Sequence, residues 1–310
     1  MISPGSSSRR QALTVLLGTW PWLRTGIAGD GAPLRLAISE SMVVDVNLSD
    51  ARAAMQTWIR RMQADLNVAI EIDAKVFSST EEIVRRVRGG QLDAAALSVV
   101  EYRPISDLLD TSEIFVGAGT SGPDEYLLLV KRDSGFSRLA DLRGRRLNML
   151  KAPKMCVAPA WLTTALDEQR LGSADSFFGA ATSDTKVTRV ILPVFFGQSE
   201  ACLTSRRGFE TMCELNPQVG RNLIAVANSP LLVTCFYAFR KNYRDPSREK
   251  FFNLHKTLLS SPAGRQLAAL FHFDELTIRD ASCLASSLNI LDKAESVRAR
   301  LAPAGRKGGN

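Results

Sequence analysis

The side chains best suited to covalent or metal chemistry are Cys156, Cys202, Cys213, Cys235 and Cys283, with His255 and His272. No Cys-x-x-Cys pair occurs, so the ligand spacing of a zinc site is missing. The histidines lie in FFNLHKTLL and AALFHFDE, helical patterns in which a packed or surface histidine is the expected role, and no base is identified for a nucleophile at Cys156 or Cys202. An odd number of cysteines leaves at least one unpaired; Cys202 and Cys213 are spaced to meet across a strand and the following helix. What remains is the chemistry of hydrogen bonding and charge, in Ser39-Glu40-Ser41 and in the run from Ser98 to Tyr102. Short polar groups of this kind on loops held by a rigid scaffold bind ligands without altering them, and no cofactor or metal is implied.

An alternation of strand and helix positions these groups. Residues 34–38 read as a short apolar strand that ends at Ser39. Asp50 caps a helix over 51–67 with Ala54, Trp58, Ile59, Met62 and Leu66 on one face. A second strand is expected over 69–72, and Ser79-Thr80-Glu81-Glu82 opens a helix buried through Ile83, Val84 and Val87 and stopped by Gly89-Gly90. The third strand, 92–99, is apolar almost throughout, as a parallel strand covered on both faces must be. Such units imply a parallel sheet with right-handed crossovers whose ligands gather at the carboxyl ends of the strands, so Ser39–Ser41 and Ser98–Tyr102 face one crevice.

A second series follows, with strands at 126–131, 147–150 and 201–204, and helices at 157–168 and 186–196. It repeats a phrase of the first: Gly90-Gln91-Leu92-Asp93-Ala94 is answered by Gly197-Gln198-Ser199-Glu200-Ala201. The glycine is expected to leave a helix in a left-handed conformation and the acid to stand at a strand's start. NSPLLVTCFYAFRKNY then reads as a strand returning to the first lobe, before helices at 246–260, 264–271 and 290–300 and a disordered tail.

Composition excludes several classes. Hydrophobic residues at 45% and charged residues at 23% are near globular averages, against disorder and against a multi-span membrane protein. Residues 1–32 carry Arg9-Arg10, a short apolar run cut by Pro21, and small residues at Gly26 to Gly29, the pattern of an export signal of twin-arginine type. Its removal takes three arginines and one aspartate and lowers the formal charge from +7 to +5. Lysines and arginines are scattered rather than striped, so nucleic acid is not an expected partner.

The exported start, LAISES, GGQLDAAALSVVEY, DLRGRRLNML, VFFGQSEACLTSRRGFE and NSPLLVTCFYAFRK together resemble the phosphate, phosphite and phosphonate ABC-transporter substrate-binding proteins over about residues 33–260. The resemblance implies an α/β, two-lobed type II periplasmic-binding-protein fold: two Rossmann-like lobes joined by two crossing strands, closing on a small ligand by hinge motion. Lobe 1 is placed at 33–128 plus 237–310 and lobe 2 at 129–236. It also implies a periplasmic, monomeric receptor working with a membrane ABC permease or a membrane sensor. Tyr102 matches the family's tyrosine after the third strand, and Glu200 matches an acid that partners a ligand amine or hydroxyl; pairing of Glu200 with Arg206 or Arg207 is the bland alternative. Where the family has a hydroxyl-rich turn for the anion, this chain has Lys151-Ala152-Pro153-Lys154-Met155-Cys156, so Lys151, Lys154 and Lys186 are the candidate cations. Two alternatives remain: a cysteine- or cofactor-dependent enzyme on this fold, and a signalling partner with a vestigial cleft.

Overall fold

The computed structural model describes residues 32–43, 48–67, 70–118, 123–270 and 273–301. The export signal, the Asp50 cap, the side chains of Ala54, Trp58 and Met62, His272 and the C-terminal tail lie outside the described residues or side chains. In chain order the first lobe contains β1 (Leu34–Ser39), α1 (Leu48–Asp65), β2 (Ile72–Phe77), α2 (Thr80–Arg88), β3 (Ala94–Ser98) and β4 (Leu109–Ala118). The second contains β5 (Tyr126–Lys131), β6 (Arg146–Leu150), α3 (Ala158–Glu168), α4 (Ala174–Phe177), β7 (Ala180–Asp184), α5 (Val187–Phe195), β8 (Ala201–Ser205), α6 (Arg206–Leu215), α7 (Pro217–Asn222) and β9 (Leu223–Asn228). The chain then returns through β10 (Cys235–Arg240), α8 (Ser247–Thr257), α9 (Pro262–Leu270), β11 (Glu275–Arg279) and α10 (Ala285–Leu301).

The lobe 1 sheet runs β11-β4-β10-β3-β1-β2 and the lobe 2 sheet β7-β6-β8-β5-β9. In each, three parallel strands are joined by an antiparallel strand from a crossover, β10 beside β3 and β5 beside β8. The crossovers pair with each other at Asp124 and Leu232, through backbone bonds of 3.0 and 2.8 Å. Because β10 starts beside Ser98 and β5 starts beside Ser205, both sheets point the carboxyl ends of their parallel strands at this hinge.

β1 and β3 earn their central place by being buried on both faces. Leu34, Leu36 and Ile38 pack under α1, α8 and α9, while Ala37, Ala95 and Leu97 pack on the opposite side with Ile83 and Val87 of α2. β4, β7, β9 and β11 are not among the strands expected from the sequence, and β2 is displaced from its expected place. β2 extends to Phe77 and not over 69–72, because Asp73 and Lys75 are tolerated on an edge strand. β7 is exposed almost throughout, and β11 pairs only with β4.

The repeated phrase is two copies of one local structure. Gly90 and Gly197 have φ of +66° and +72°, and each closes its helix with the next residue's N–H on a carbonyl five positions back, Gln91 on Arg86 and Gln198 on Pro193. The acid that follows clamps an arginine on the neighbouring strand. Asp93 accepts from the Arg35 backbone N–H at 3.0 Å and from its guanidinium at 2.8 and 2.6 Å. Glu200 does the same to Arg146, at 3.0 Å from the backbone and 3.0 and 2.9 Å from the guanidinium.

The lobe boundaries set at 128 and 237 fall inside β5 and β10, so the crossovers lie slightly earlier than the sequence suggests. The last helix also departs from its lobe: α10 packs on α3 of lobe 2, with Lys293 on Glu168 at 3.3 Å and Arg300 paired with Asp167.

Candidate functional site

On the lobe 1 side of the hinge, the chain leaves β1 at Ser39 into a 3-10 turn, Glu40–Met42, and leaves β3 at Ser98 into another, Val99–Glu101. These turns bring Ser39, Ser41 and Ser98 together around a carboxylate that the sequence reading passed over, Glu101. One oxygen of Glu101 accepts from Ser39 Oγ at 2.6 Å and Thr80 Oγ1 at 2.8 Å. The other accepts from Ser41 Oγ at 2.7 Å, Ser98 Oγ at 2.8 Å and the Ser98 N–H at 2.9 Å. Burial opposes the charge on Glu101, yet the donors from Ser39, Ser41 and Ser98 outweigh it and hold the carboxyl below its ordinary range. Each hydroxyl has one hydrogen, so all four hydroxyl donors are engaged. The wall therefore offers negative charge and spare hydroxyl lone pairs, which suit a ligand's donor or cation rather than its anion.

Glu40 is half-buried at the start of the first turn. Tyr102, also half-buried, meets the edge of Phe236 with ring centroids 5.5 Å apart, and burial raises its phenol. It forms the side of this wall.

The floor is the hinge. Lys154 reaches Asp124 at 3.2 Å, both side chains 14% exposed, and the second Asp124 oxygen accepts from Thr234 Oγ1 at 2.5 Å. The fully buried Tyr126 donates to the Lys154 carbonyl at 2.8 Å and fixes the lysine turn on the crossover. Lys154 is thus a neutralised floor residue and not a free cation.

The lobe 2 wall carries Lys151 after β6 and Lys186 after β7, both exposed. Asp184 caps the start of α5 through the Lys186 N–H at 2.8 Å, and this bond lowers its carboxyl. Glu200 is not brought here. Its clamp on Arg146 stands at the amino ends of β8 and β6, the far end of lobe 2 from the hinge, and that arginine pulls its carboxyl down to about 2. Its partner is neither Arg206, which pairs with Glu125, nor Arg207. Arg207 instead crosses the cleft to Asp274, just before β11, at 3.2 Å for the longer of its two bonds.

All five thiols are free, Cys202 and Cys213 included, and burial raises each of them above the ordinary range. A reactive cysteine needs the opposite shift. Among the described residues no cluster of ligating side chains could hold a metal ion, and no helix is long and apolar enough to cross a membrane.

Glu101 did carry a sequence signal. Ser98-Val99-Val100-Glu101 is the S-x-x-E pattern of a capping box, and the structure forms that box. The convergence of Ser39, Ser41 and Thr80 on the same carboxylate is tertiary and had no local signal.

Comparison with known proteins fits this geometry. The family model described as the periplasmic substrate-binding protein of the phosphonate ABC transporter matches residues 42–282. No curated protein sequence matches the chain. Among solved structures it resembles a binding-protein component of an ABC phosphonate transporter from Pseudomonas aeruginosa, with TM-score 0.56 and 13% identity over 90% of this chain and 92% of that one. It also resembles a Xanthomonas citri protein bound to ATP, with TM-score 0.58 and 14% identity over 87% and 99% of the two chains. A Prochlorococcus marinus protein in complex with methylphosphonate aligns with TM-score 0.53 and 13% identity over 87% and 99%. At these identities the structures attest the two-lobed fold.

Proposed function

The chain belongs to the periplasmic substrate-binding proteins of phosphonate ABC transporters, and from that premise we propose that it is an exported receptor that captures a small zwitterionic phosphonate between its lobes and delivers it to an ABC permease. The N-terminal segment 1–32 is its twin-arginine-type export signal and the mature receptor is a monomer.

One observation carries the choice of ligand: the lobe 1 wall is a carboxylate that already engages the four serine and threonine hydroxyl donors around it. A phosphonate oxyanion placed there meets like charge and no free serine or threonine hydroxyl hydrogen. Turned the other way, its oxyanion lies toward the exposed side chains of Lys151 and Lys186 on lobe 2. An ammonium or hydroxyl on the same molecule then faces Glu101 and the serine lone pairs, with Tyr102 beside it. Closure about the hinge brings the two walls onto the two ends of one ligand.

Titration calorimetry with aminomethylphosphonate and methylphosphonate tests this. Aminomethylphosphonate is expected to bind at least tenfold more tightly, and Lys151→Ala and Lys186→Ala each to weaken it by about tenfold, less at high salt. Equal affinity for the two ligands would remove the argument from Glu101. Retention of the full chain's N-terminus in a periplasmic fraction would remove the export signal.

A further inference from the structure

We propose that lobe 1 contains a second part of the binding site, an apolar subsite that accepts a hydrocarbon branch of the ligand held in the cleft; this rests on the receptor reading above. The observation is a cavity of about 150 Å³ between the lobe 1 sheet and helices α1, α8 and α9. Leu36 and Ile38 of β1, Phe115 of β4, Leu254 of α8 and Leu267 of α9 line it. Met42, Lys154 and Cys235 line it as well. Those three belong to the cleft: Met42 ends the turn that carries Ser41, Lys154 is the floor residue paired with Asp124, and Cys235 starts β10 beside Ser98. The cavity is therefore continuous with the cleft floor.

Its size and lining decide the occupant. Protein interiors pack with few voids larger than a water molecule, and an apolar cavity of this volume stays dry and takes a molecule about the size of benzene. A phosphonate head is disfavoured, because the lining is apolar except for Lys154, which is committed to Asp124, His255, whose Nε2 donates to the Leu276 carbonyl at 2.7 Å, and the Tyr237 phenol, so it supplies no free cation. Lys154 marks the junction: it lines the cavity, and its ammonium is paired with Asp124 at 3.2 Å. A ligand whose charged groups remain in the cleft and whose branch of about six heavy atoms passes Lys154 satisfies both environments. The substrate class is thus an aminophosphonate with an apolar side chain.

The test is titration calorimetry of the full chain with 1-aminoethylphosphonate, 1-aminohexylphosphonate and hexanol, repeated on Ala96→Leu and Leu267→Phe, two independent ways of filling the cavity. Affinity is expected to rise by about fourfold per added methylene until the cavity is full. Both variants are expected to erase that gain while leaving 1-aminoethylphosphonate binding unchanged. Equal binding of the short and long aminophosphonates overturns the subsite and leaves the receptor reading intact. Binding of neither overturns both. Hexanol binding that both variants abolish, without any chain-length gain for the phosphonates, overturns the link between cavity and cleft.

Discussion

Removing the Glu101 carboxylate is the sharpest test of the lobe 1 wall, because five donors converge on it. In Glu101→Ala the three serine hydroxyls can re-pair among themselves, since Ser39 and Ser41 already lie 2.9 Å apart and Ser41 and Ser98 3.2 Å apart. The backbone N–H of the fully buried Ser98 has no such recourse. With bonds to a charged acceptor worth about 1.5–3 kcal/mol each, the net loss is about 3 kcal/mol, or roughly 6 °C in melting temperature for a chain of this size. Glu101→Gln keeps one oxygen for Ser98 and costs about 1 kcal/mol. The folded state holds the Glu101 carboxyl below the ordinary 4.5, so its contribution is full above that value and fades as pH falls through the depressed folded one. Calorimetric melting of wild type and Glu101→Gln should therefore diverge at neutral pH and converge on acidification. For binding, an ammonium about 6 Å from the carboxylate at an effective dielectric near 40 gains about 1.4 kcal/mol, a factor of about ten. Glu101→Gln should lose that factor for aminomethylphosphonate and none for methylphosphonate. Identical melting of both proteins at every pH would refute the stability argument, and a tighter methylphosphonate complex would show that the anion, and not the amine, occupies this wall.

The two acid clamps should differ in weight because they differ in burial. Asp93→Ala, which removes a carboxylate only 4% exposed but leaves Arg35 with its side chain 40% exposed, is expected to cost about 1–2 kcal/mol in urea unfolding. Glu200→Ala, whose arginine is 55% exposed, is expected to cost under about 1 kcal/mol and to leave ligand affinity unchanged. The Glu200 contribution is full above pH 4.5 and lost as pH falls toward about 2. A thiol reagent at neutral pH should modify no cysteine faster than a free thiol, with Cys202 protected until the protein unfolds; mass spectrometry of partly labelled protein reads this. Arg207→Ala removes the ion pair to Asp274 across the cleft and should weaken ligand binding by at most about fivefold, an effect that salt suppresses in the wild type.

The fold was legible where burial wrote it into the chain. β1 and β3 are apolar on both faces, Ser79 caps α2 through the Glu82 N–H at 3.2 Å, and Gly90 and Gly197 mark their helix ends by conformations that other residues resist. β7 and β11 were not legible, because exposed edge strands carry no hydrophobic pattern. Of the candidate site, the meeting of the strand ends was legible. Ser39, Ser41, Ser98 and Tyr102 follow from the rule that strand ends meet at the hinge. The partners of Lys154 and Glu200 were not legible for one reason: a charged side chain's surroundings depend on its nearest opposite charge, and Asp124 and Arg146 are remote in sequence, 30 and 54 residues away.

The same repeat that makes the lobes alike also explains why their walls differ in sign. The copies stay in step through Ser98 and Ser205, which end β3 and β8 and cap the turns that follow. In lobe 1 the third residue after the cap is Glu101, which returns to the cap and gathers the hydroxyls. In lobe 2 the third residue is Gly208, whose N–H donates to Ser205 Oγ at 3.1 Å. A Cβ there would stand 3.0 Å from Thr204 Oγ1, 3.1 Å from Ser205 Oγ and 3.4 Å from Val187 Cγ2, so an acid at this position would have to push its neighbours aside. The two residues between are Val99 and Val100 in lobe 1 but Arg206 and Arg207 in lobe 2. Equivalent strand ends thus lead into a 3-10 turn that delivers a carboxylate in lobe 1 and an α-helix that delivers guanidinium groups in lobe 2, each beside the hinge. Arg206 is held by Glu125, and Arg207 already uses this polarity to reach Asp274 on the opposite lobe. A ligand with both signs of charge completes the same pairing between the walls, whereas a simple anion satisfies only one of them.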